Sequence, residues 1–447
     1  MRRFSAVWVS VFLWSPAPAQ AEPASPKRPD QTVDTHAETH TSEAAARKPL
    51  GLFDPAAGKM TGDWGGLRSW LVDHGLTISL AYQQQGFLNL NGGADTEQGY
   101  RQAGSYDFIL KADTQKLGLW PGGYGYIKTK GNWREALGFN AGKIGGLSRP
   151  NADEGADDPV FVSKWWVGQR WLDGLFDLRV GRLESKKDLF DLNAYAKNED
   201  YLFINNWFRR NPTVPHTTAG GARLKIRPAD WLYFQMGVFD GDSRGSKRGA
   251  LRTTFHDSAT FIGMWELGFT PKFATARGPM PGHYRVGFWY DGRARNTFVF
   301  DPDGRFAPRF KGDTVGFYLS LDQMVYKEQA GGTDTQGLGL FFRYGHAKEE
   351  VSALEDFWSI GGQYQGLIPK RDRDVLAFGV AQGIRSGRFR QLINSRADRE
   401  TVYELYYKIE VTPWLAITPD LQYVNNPGAL GARKDAFLAG IRLRFIF

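Results

Sequence analysis

Cysteine is absent from the 447-residue chain. That excludes disulfides, thiolate-held metal or iron–sulfur centres and a cysteine nucleophile, so an exported chain of this length must be held by its core or by a closed sheet. Long apolar runs are missing as well. The most apolar stretch of the N-terminus, Phe4 to Trp14, is well short of the roughly 20 residues that a spanning helix needs. It follows Met1-Arg2-Arg3 and precedes Ala19-Gln20-Ala21, a small-x-small cleavage pattern. The expectation is a signal peptide over residues 1–21, with Glu22 the first mature residue. Catalytic signatures are also lacking. His74, His216, His256, His283 and His346 are scattered, without an H-E-x-x-H, a G-x-S-x-G or a phosphate-cradling glycine loop. Nothing calls for a cofactor or a metal. Charge of one sign is not concentrated either. Lys and Arg number 56 against 48 Asp and Glu, and the net +8 becomes +6 once Arg2 and Arg3 leave with the signal peptide (54 minus 48). Interspersed charge gives no basic patch for nucleic acid.

A mean hydropathy of −0.43 would suit a water-soluble protein. It does not exclude a membrane barrel, whose strands alternate and are only modestly apolar on average. Alternation is what the C-terminus shows. Tyr403, Leu405, Tyr407, Ile409 and Val411 share one face of a run whose other face is Glu404, Tyr406, Lys408 and Glu410. After Thr412-Pro413, Leu415, Ile417, Leu421 and Tyr423 lie opposite Ala416, Thr418, Asp420 and Gln422. The final run sets Phe437, Ala439, Ile441, Leu443, Phe445 and Phe447 against Gly440, Arg442 and Arg444. Successive side chains of a strand point to opposite faces, so each run is a strand with an apolar and a charged side.

Strands of this kind recur from Leu76 onward, about sixteen in number, an even count as bacterial barrels require. Short connections such as Leu172-Asp173-Gly174, Pro228-Ala229-Asp230 and Thr412-Pro413 alternate with long ones at 133–161, 184–216, 241–258, 294–312 and 386–400. Two connections on the short side, 271–282 and 324–334, are longer than the rule predicts. The fold class expected is all-β: a transmembrane antiparallel β-barrel over 76–447, in the outer membrane, with both termini periplasmic. Residues 22–50, rich in Pro, Ala, Thr, Glu and Lys, read as a flexible periplasmic tether. Within 51–75, Leu67, Trp70 and Leu71 share a helical face and Gly75 is placed to end the helix. This short N-terminal helix is expected to cap the periplasmic mouth or project into the lumen, with Asp63 or Thr61 as N-cap. The 15 Trp, 18 Tyr and 31 Phe supply interfacial girdles.

The charged face must point inward, because an Arg or Lys facing lipid at midplane costs roughly 2–4 kcal/mol. Sixteen strands enclose more space than wall side chains can fill, so a water-filled pore follows. The inward phase gives Asp177, Arg179, Arg223, Glu404, Lys408, Asp420, Arg442 and Arg444 as candidate lining. Arg182 joins them only if its strand ends near Gly181. The 184–216 connection is long enough to be functional. Folded inward, it would narrow the bore with Lys186, Lys187, Asp188, Trp207, Arg209 and Arg210; as a surface loop it would stay outside. The lining reads as mixed in sign. That suits a neutral, hydroxyl-rich solute, but it also suits a general diffusion pore, since one-sign rings are what select anions or cations.

The chain resembles the carbohydrate-selective porins of the OprB type. The resemblance is carried by Thr61-Gly62-Asp63-Trp64-Gly65-Gly66-Leu67-Arg68, by Leu178-Arg179-Val180-Gly181-Arg182-Leu183 with Asp188-Leu189-Phe190, and by the ending from Tyr403-Glu404-Leu405 through Asp420-Leu421-Gln422-Tyr423 and Asn426-Pro427-Gly428 to Arg442-Leu443-Arg444-Phe445. It implies a sixteen-stranded outer-membrane barrel through which monosaccharides and related polyols diffuse, and it favours sugar preference over a general pore. It leaves the segment before residue 50 unexplained. The partners expected are sugars as solutes and outer-membrane lipid, with a homotrimer and a monomer both open. Two rivals belong to other classes: an outer-membrane barrel enzyme, which needs a nucleophile and base near a mouth, and a secreted sugar-binding β-protein, which would dissolve without detergent.

Overall fold

The computed structural model of the protein describes residues 52–97, 99–134, 143–151, 158–196, 202–241, 260–303, 305–307, 309–311, 313–330 and 335–447. The expected signal peptide and tether lie outside the described residues. So do parts of the connections at 133–161 and 241–258. From Leu76 the chain is almost wholly strand. In order these are β1 (Leu76–Gly93), β2 (Tyr100–Asp113), β3 (Gly123–Arg134), β4 (Asp158–Trp171), β5 (Phe176–Glu184), β6 (Thr218–Ala229), β7 (Leu232–Asp240) and β8 (Phe261–Phe269). Then come β9 (Gly278–Asp291), β10 (Thr314–Lys327), β11 (Gly337–Ala347), β12 (Leu354–Gln365), β13 (Val375–Arg385), β14 (Arg399–Thr412), β15 (Leu415–Asn425) and β16 (Lys434–Ile446).

Each strand pairs antiparallel with the next, and β1 closes the ring by pairing with both neighbours. Gln85 stands opposite Ala103 of β2 on one side and Arg442 of β16 on the other. The result is a closed barrel of sixteen antiparallel strands. The sheet has one further arm, Lys272–Thr275, which pairs with the start of β9 as a four-residue hairpin on the rim. That hairpin accounts for the over-long connection at 271–282.

Alternation decides which way each side chain points. On β14, Leu405 is 41% exposed while its neighbour Glu404 is fully buried. Phe378, Ile360 and Phe288 are likewise exposed on the outer wall. A continuous outer belt of Leu, Ile and Phe exceeds the apolar patches that water-soluble monomers tolerate, and it is the surface that hydrocarbon solvates. Trp120, Trp171 and Trp231 are exposed beside the short turns, where an interfacial girdle belongs.

The N-terminal helix differs in position from the expectation. It spans Leu67–Asp73 after a single turn at Trp64–Gly66, and it neither caps the mouth nor enters the lumen. Trp64 and Arg68 lie against Ile78, Leu80 and Phe108, which are outward residues of β1 and β2. Arg68 Nη1 donates to the carbonyl of Phe447 at 3.0 Å, and the Met60 N–H donates to that of Ile446 at 2.8 Å. The helix therefore clasps the outer wall where the chain's end closes the barrel. Trp70 and Leu67 are left exposed beside the periplasmic rim. Asp63 caps it from outside the first turn, its Oδ1 accepting the Ser69 N–H at 2.9 Å. Gly75 ends it as expected: its φ is +87°, and a Cβ there would come within 2.7 Å of the Asp113 carbonyl oxygen.

Candidate functional site

The connection from Ser185 to Thr217 folds into the barrel. It leaves β5 through a π-turn at Ser185–Leu189. Asp191 then forms an ion pair with Arg343 of β11, and both side chains are fully buried. The Asp191 N–H donates to Glu266 of β8 at 3.0 Å, and Gln235 of β7 donates to the Leu189 carbonyl at 2.7 Å. On β10, Ser320 Oγ donates to the Leu192 carbonyl at 2.7 Å, and Asp322 accepts from the Ala194 N–H at 3.2 Å. Residues 197–201 lie outside the described residues. Past them, the N–H groups of Ile204 and Asn205 donate to the two oxygens of Glu404 on β14 at 2.5 and 3.0 Å. Asn205 Nδ2 donates to Gln422 of β15 at 3.0 Å. Polar groups removed from water must be paired, and here the carboxylates of the wall satisfy the backbone of the loop.

Apolar packing completes the seat. The inward positions of β13 are small: Ala377, Gly379, Ala381 and Gly383. Phe203 and Phe208 stack at 4.3 Å over this strip, and Phe203 meets Phe341 and Tyr406 edge-on at 5.6 and 5.1 Å. Trp207 rests on Gly383 and meets Phe357 edge-on at 5.9 Å. Burial of each Phe contributes roughly 1.5–3 kcal/mol. The short helix Asn206–Arg209 that carries Trp207 and Phe208 is capped by Asn205 Oδ1, which accepts the Trp207 N–H at 3.0 Å. A second loop segment, 143–151, docks beside it. Glu400 accepts the N–H groups of Leu147 and Ser148 at 2.7 and 2.8 Å, and the Asn206 N–H donates to the Arg149 carbonyl at 2.9 Å.

This geometry divides the residues expected to line the pore. Trp207, Arg209, Lys186, Glu404, Asp420 and Arg442 are buried. Lys186 Nζ donates to the carbonyls of Asn211 and Val214 at 2.6 and 2.7 Å. Lys186 and Glu404 hold the loop through these hydrogen bonds, and burial sets all six, together with Arg223 and Arg444, apart from the partly exposed wall. Arg182 is also buried, on a strand that runs past Gly181 to Glu184, and its Nε donates to the Ser163 carbonyl at 3.1 Å. The side chain of Lys187 lies outside the described residues. Asp188 pairs with Lys164 at 2.5 Å.

Asp177, Arg179 and Arg223 do come together, on the wall formed by β3 to β6. Arg223 Nη1 lies 3.4 Å from Asp177 Oδ1, and Tyr124 Oη donates to that same oxygen at 2.5 Å. Arg179 Nε donates to Tyr124 Oη at 3.1 Å, and its guanidinium sits 4.5 Å over the Trp166 ring. Arg170 lies 4.6 Å over Tyr124, and Tyr126 stacks on Trp166 at 5.1 Å. The side chains of Arg170 and Arg179 are 34% and 21% exposed. Farther round, on β14, Lys408 lies 3.8 Å from Glu410, while Arg444 on β16 is buried. Lys225 shares the inward phase of Arg223 in the sequence, whereas Tyr124, Trp166 and Arg170 were not singled out, because aromatics on both faces of their strands hide the phase.

The family model for carbohydrate-selective porins of the OprB family matches residues 97–447. The chain belongs to that family. It is 25% identical over 425 residues to Porin B of Pseudomonas aeruginosa, covering 88% of this chain and 92% of the relative. It is 20% identical over 420 residues to a putative porin, QuiX, of Acinetobacter baylyi, covering 87% and 93%. The fold is similar to the structure of Pseudomonas putida OprB at high pH, with a TM-score of 0.77 at 22% identity over 88% of this chain and all of that one. As a member of the OprB family the protein is a carbohydrate-selective porin, a channel and not an enzyme, of the Gram-negative outer membrane.

Proposed function

We propose that the lumen passes monosaccharides and related polyols by passive diffusion, and that the inward segment 185–217 sets the size limit. One observation carries this reading: the segment is tied to β7, β8, β10, β11, β14 and β15, whereas Trp166, Tyr124, Arg170, Arg179 and Asp177 keep part of their surface on β3 to β5. The bore then runs along β3 to β6. Aromatic faces there meet the C–H side of a sugar ring, while guanidinium and carboxylate groups exchange hydrogen bonds with its hydroxyls, as in other pores lined by donors and acceptors. Lys408 and Glu410 line the wall farther round, on β14.

Liposome swelling tests the reading. Vesicles holding the protein should swell quickly in glucose and several-fold more slowly in tri- and tetrasaccharides. Equal rates for mono- and oligosaccharides would contradict a size limit set by the loop, and equal passage of unrelated solutes of matched size would favour a general diffusion pore.

A further inference from the structure

A groove of about 640 Å3 opens on the outer wall, across β9 to β14, lined by the outward side chains of Leu321, Leu338, Leu340, Ile360, Tyr364 and Phe378. Gly362 forms part of its floor, where a Cβ would come within 2.7 Å of Leu340 Cδ2. The groove's periplasmic end is polar. There the hairpin arm at Lys272–Thr275, the extra length in the β8–β9 connection, places Arg277. The Thr275 hydroxyl donates to the Gly278 carbonyl at 2.7 Å and accepts the Arg277 N–H at 3.2 Å, which fixes the turn. Arg277 Nη1 donates to Tyr326 Oη and to the carbonyls of Lys327 and Glu328 at 3.4, 3.0 and 2.6 Å, and the guanidinium lies 5.0 Å over the Tyr326 ring. Tyr326 in turn packs 6.2 Å from Tyr364 of the groove, whose hydroxyl donates to Glu328 Oε1 at 2.8 Å. The bonds of Arg277 leave through one nitrogen, so Nε and Nη2 of an exposed guanidinium stay available beside the Glu328 carboxylate.

We propose that the groove and this rim hold one phospholipid of the periplasmic leaflet with an ethanolamine headgroup. An acyl chain lies in the apolar groove, the phosphate meets Arg277 and the ammonium meets Glu328. A guanidinium offers phosphate a fork of N–H donors, and Tyr326 and Tyr364 stand at the level where interfacial rings belong. A cation alone would suit any anionic lipid. A cation with an acid beside it fits a zwitterion. A choline headgroup has no N–H to give Glu328, and a glycerol headgroup has no cation at all. The arm is thereby explained: a tight turn between β8 and β9 would leave no residue to carry a guanidinium to Tyr326.

Native mass spectrometry of the full-length protein in a mild detergent tests this, with phosphatidylethanolamine, phosphatidylcholine and phosphatidylglycerol of identical chains as probes. One phosphatidylethanolamine per chain should stay bound where the other two are lost. Arg277→Gln should weaken its retention about 10-fold or more, as the loss of a charge-assisted hydrogen bond does. Glu328→Gln should bring the ethanolamine and choline lipids to equal retention. Ile360→Trp, which fills the groove from the lipid side, should lower the retention of all three. Lys272→Gln, which removes an exposed cation from the same arm, should change nothing. Equal retention of the three lipids by the wild type, tighter binding of phosphatidylglycerol, or identical behaviour of Arg277→Gln and Lys272→Gln would each overturn the proposal. A dimer that forms as phosphatidylethanolamine leaves would give the groove to a second copy of the chain and overturn it as well.

Discussion

Asp191 of the inward segment and Arg343 of β11 face each other as an ion pair, both side chains completely removed from solvent. Arg343 Nη1 also donates to the Phe208 carbonyl at 2.8 Å, so a single guanidinium holds the segment at two points. Breaking one side of a buried pair leaves an uncompensated charge and costs about 3–5 kcal/mol. Arg343→Met should therefore lower the thermal unfolding temperature, widen the bore and raise single-channel conductance, with trisaccharides entering faster. The double variant Asp191→Leu with Arg343→Met should recover much of the stability, since an apolar pair of similar volume carries no stranded charge. Conductance unchanged in the single variant would show that the pair does not set the loop's position.

The aromatic seat makes a separate prediction. Trp207→Ala removes a ring packed on Gly383 and Phe357 and should cost about 3–5 kcal/mol. If Trp207 is a support, sugar transport changes through the size limit: larger solutes gain more than glucose does. A fall in glucose entry with no gain for larger solutes would instead make Trp207 a sugar contact, as the sequence suggested.

The periplasmic turn between β12 and β13 should respond to pH. Burial pushes the Asp374 carboxyl up, but hydrogen bonds from Arg371, from Tyr407 and from the Glu410 N–H outweigh it and hold its pKa below the usual carboxylate value. A carboxylate with a depressed folded-state pKa contributes stability that is present above its unfolded value, roughly 3.9 for Asp, and that is lost as pH falls through the lower folded value. Amide exchange in residues 366–374 should be protected at neutral pH and should quicken only well below pH ~4. Asp374→Asn should weaken protection already at neutral pH. Protection in the wild type that faded well above pH 4 would reverse the sign.

The barrel was legible because alternation is a local rule. Leu405 beside Glu404 states which side meets lipid, and the same reading over sixteen strands gives closure. The seat of the loop was not legible, because it depends on pairings across the lumen. Nothing near Trp207 in sequence announces Gly383, or marks the small inward strip Ala377, Gly379, Ala381 and Gly383 as the place where the loop's rings pack. Glu404 and Arg179 look alike to a phase argument; only the loop's path makes one a buried acceptor and leaves the other partly exposed. The helix position was missed for a similar reason. Leu67, Trp70 and Leu71 give an apolar face, but in a membrane protein such a face can turn outward, and the Arg68 contact with Phe447 joins opposite ends of the chain.

A chain without cysteine is suited to the most direct test of the central claim, that β5 faces an open lumen while the loop's aromatic helix is sealed against the far wall. Arg179→Cys, Trp207→Cys and Leu405→Cys would each carry the protein's sole thiol, probed with a charged, membrane-impermeant thiol reagent during bilayer recording. Rapid modification with loss of current at position 179, and no reaction at positions 207 and 405, is the predicted result. Modification at position 405 or 207 with position 179 inert would contradict the account.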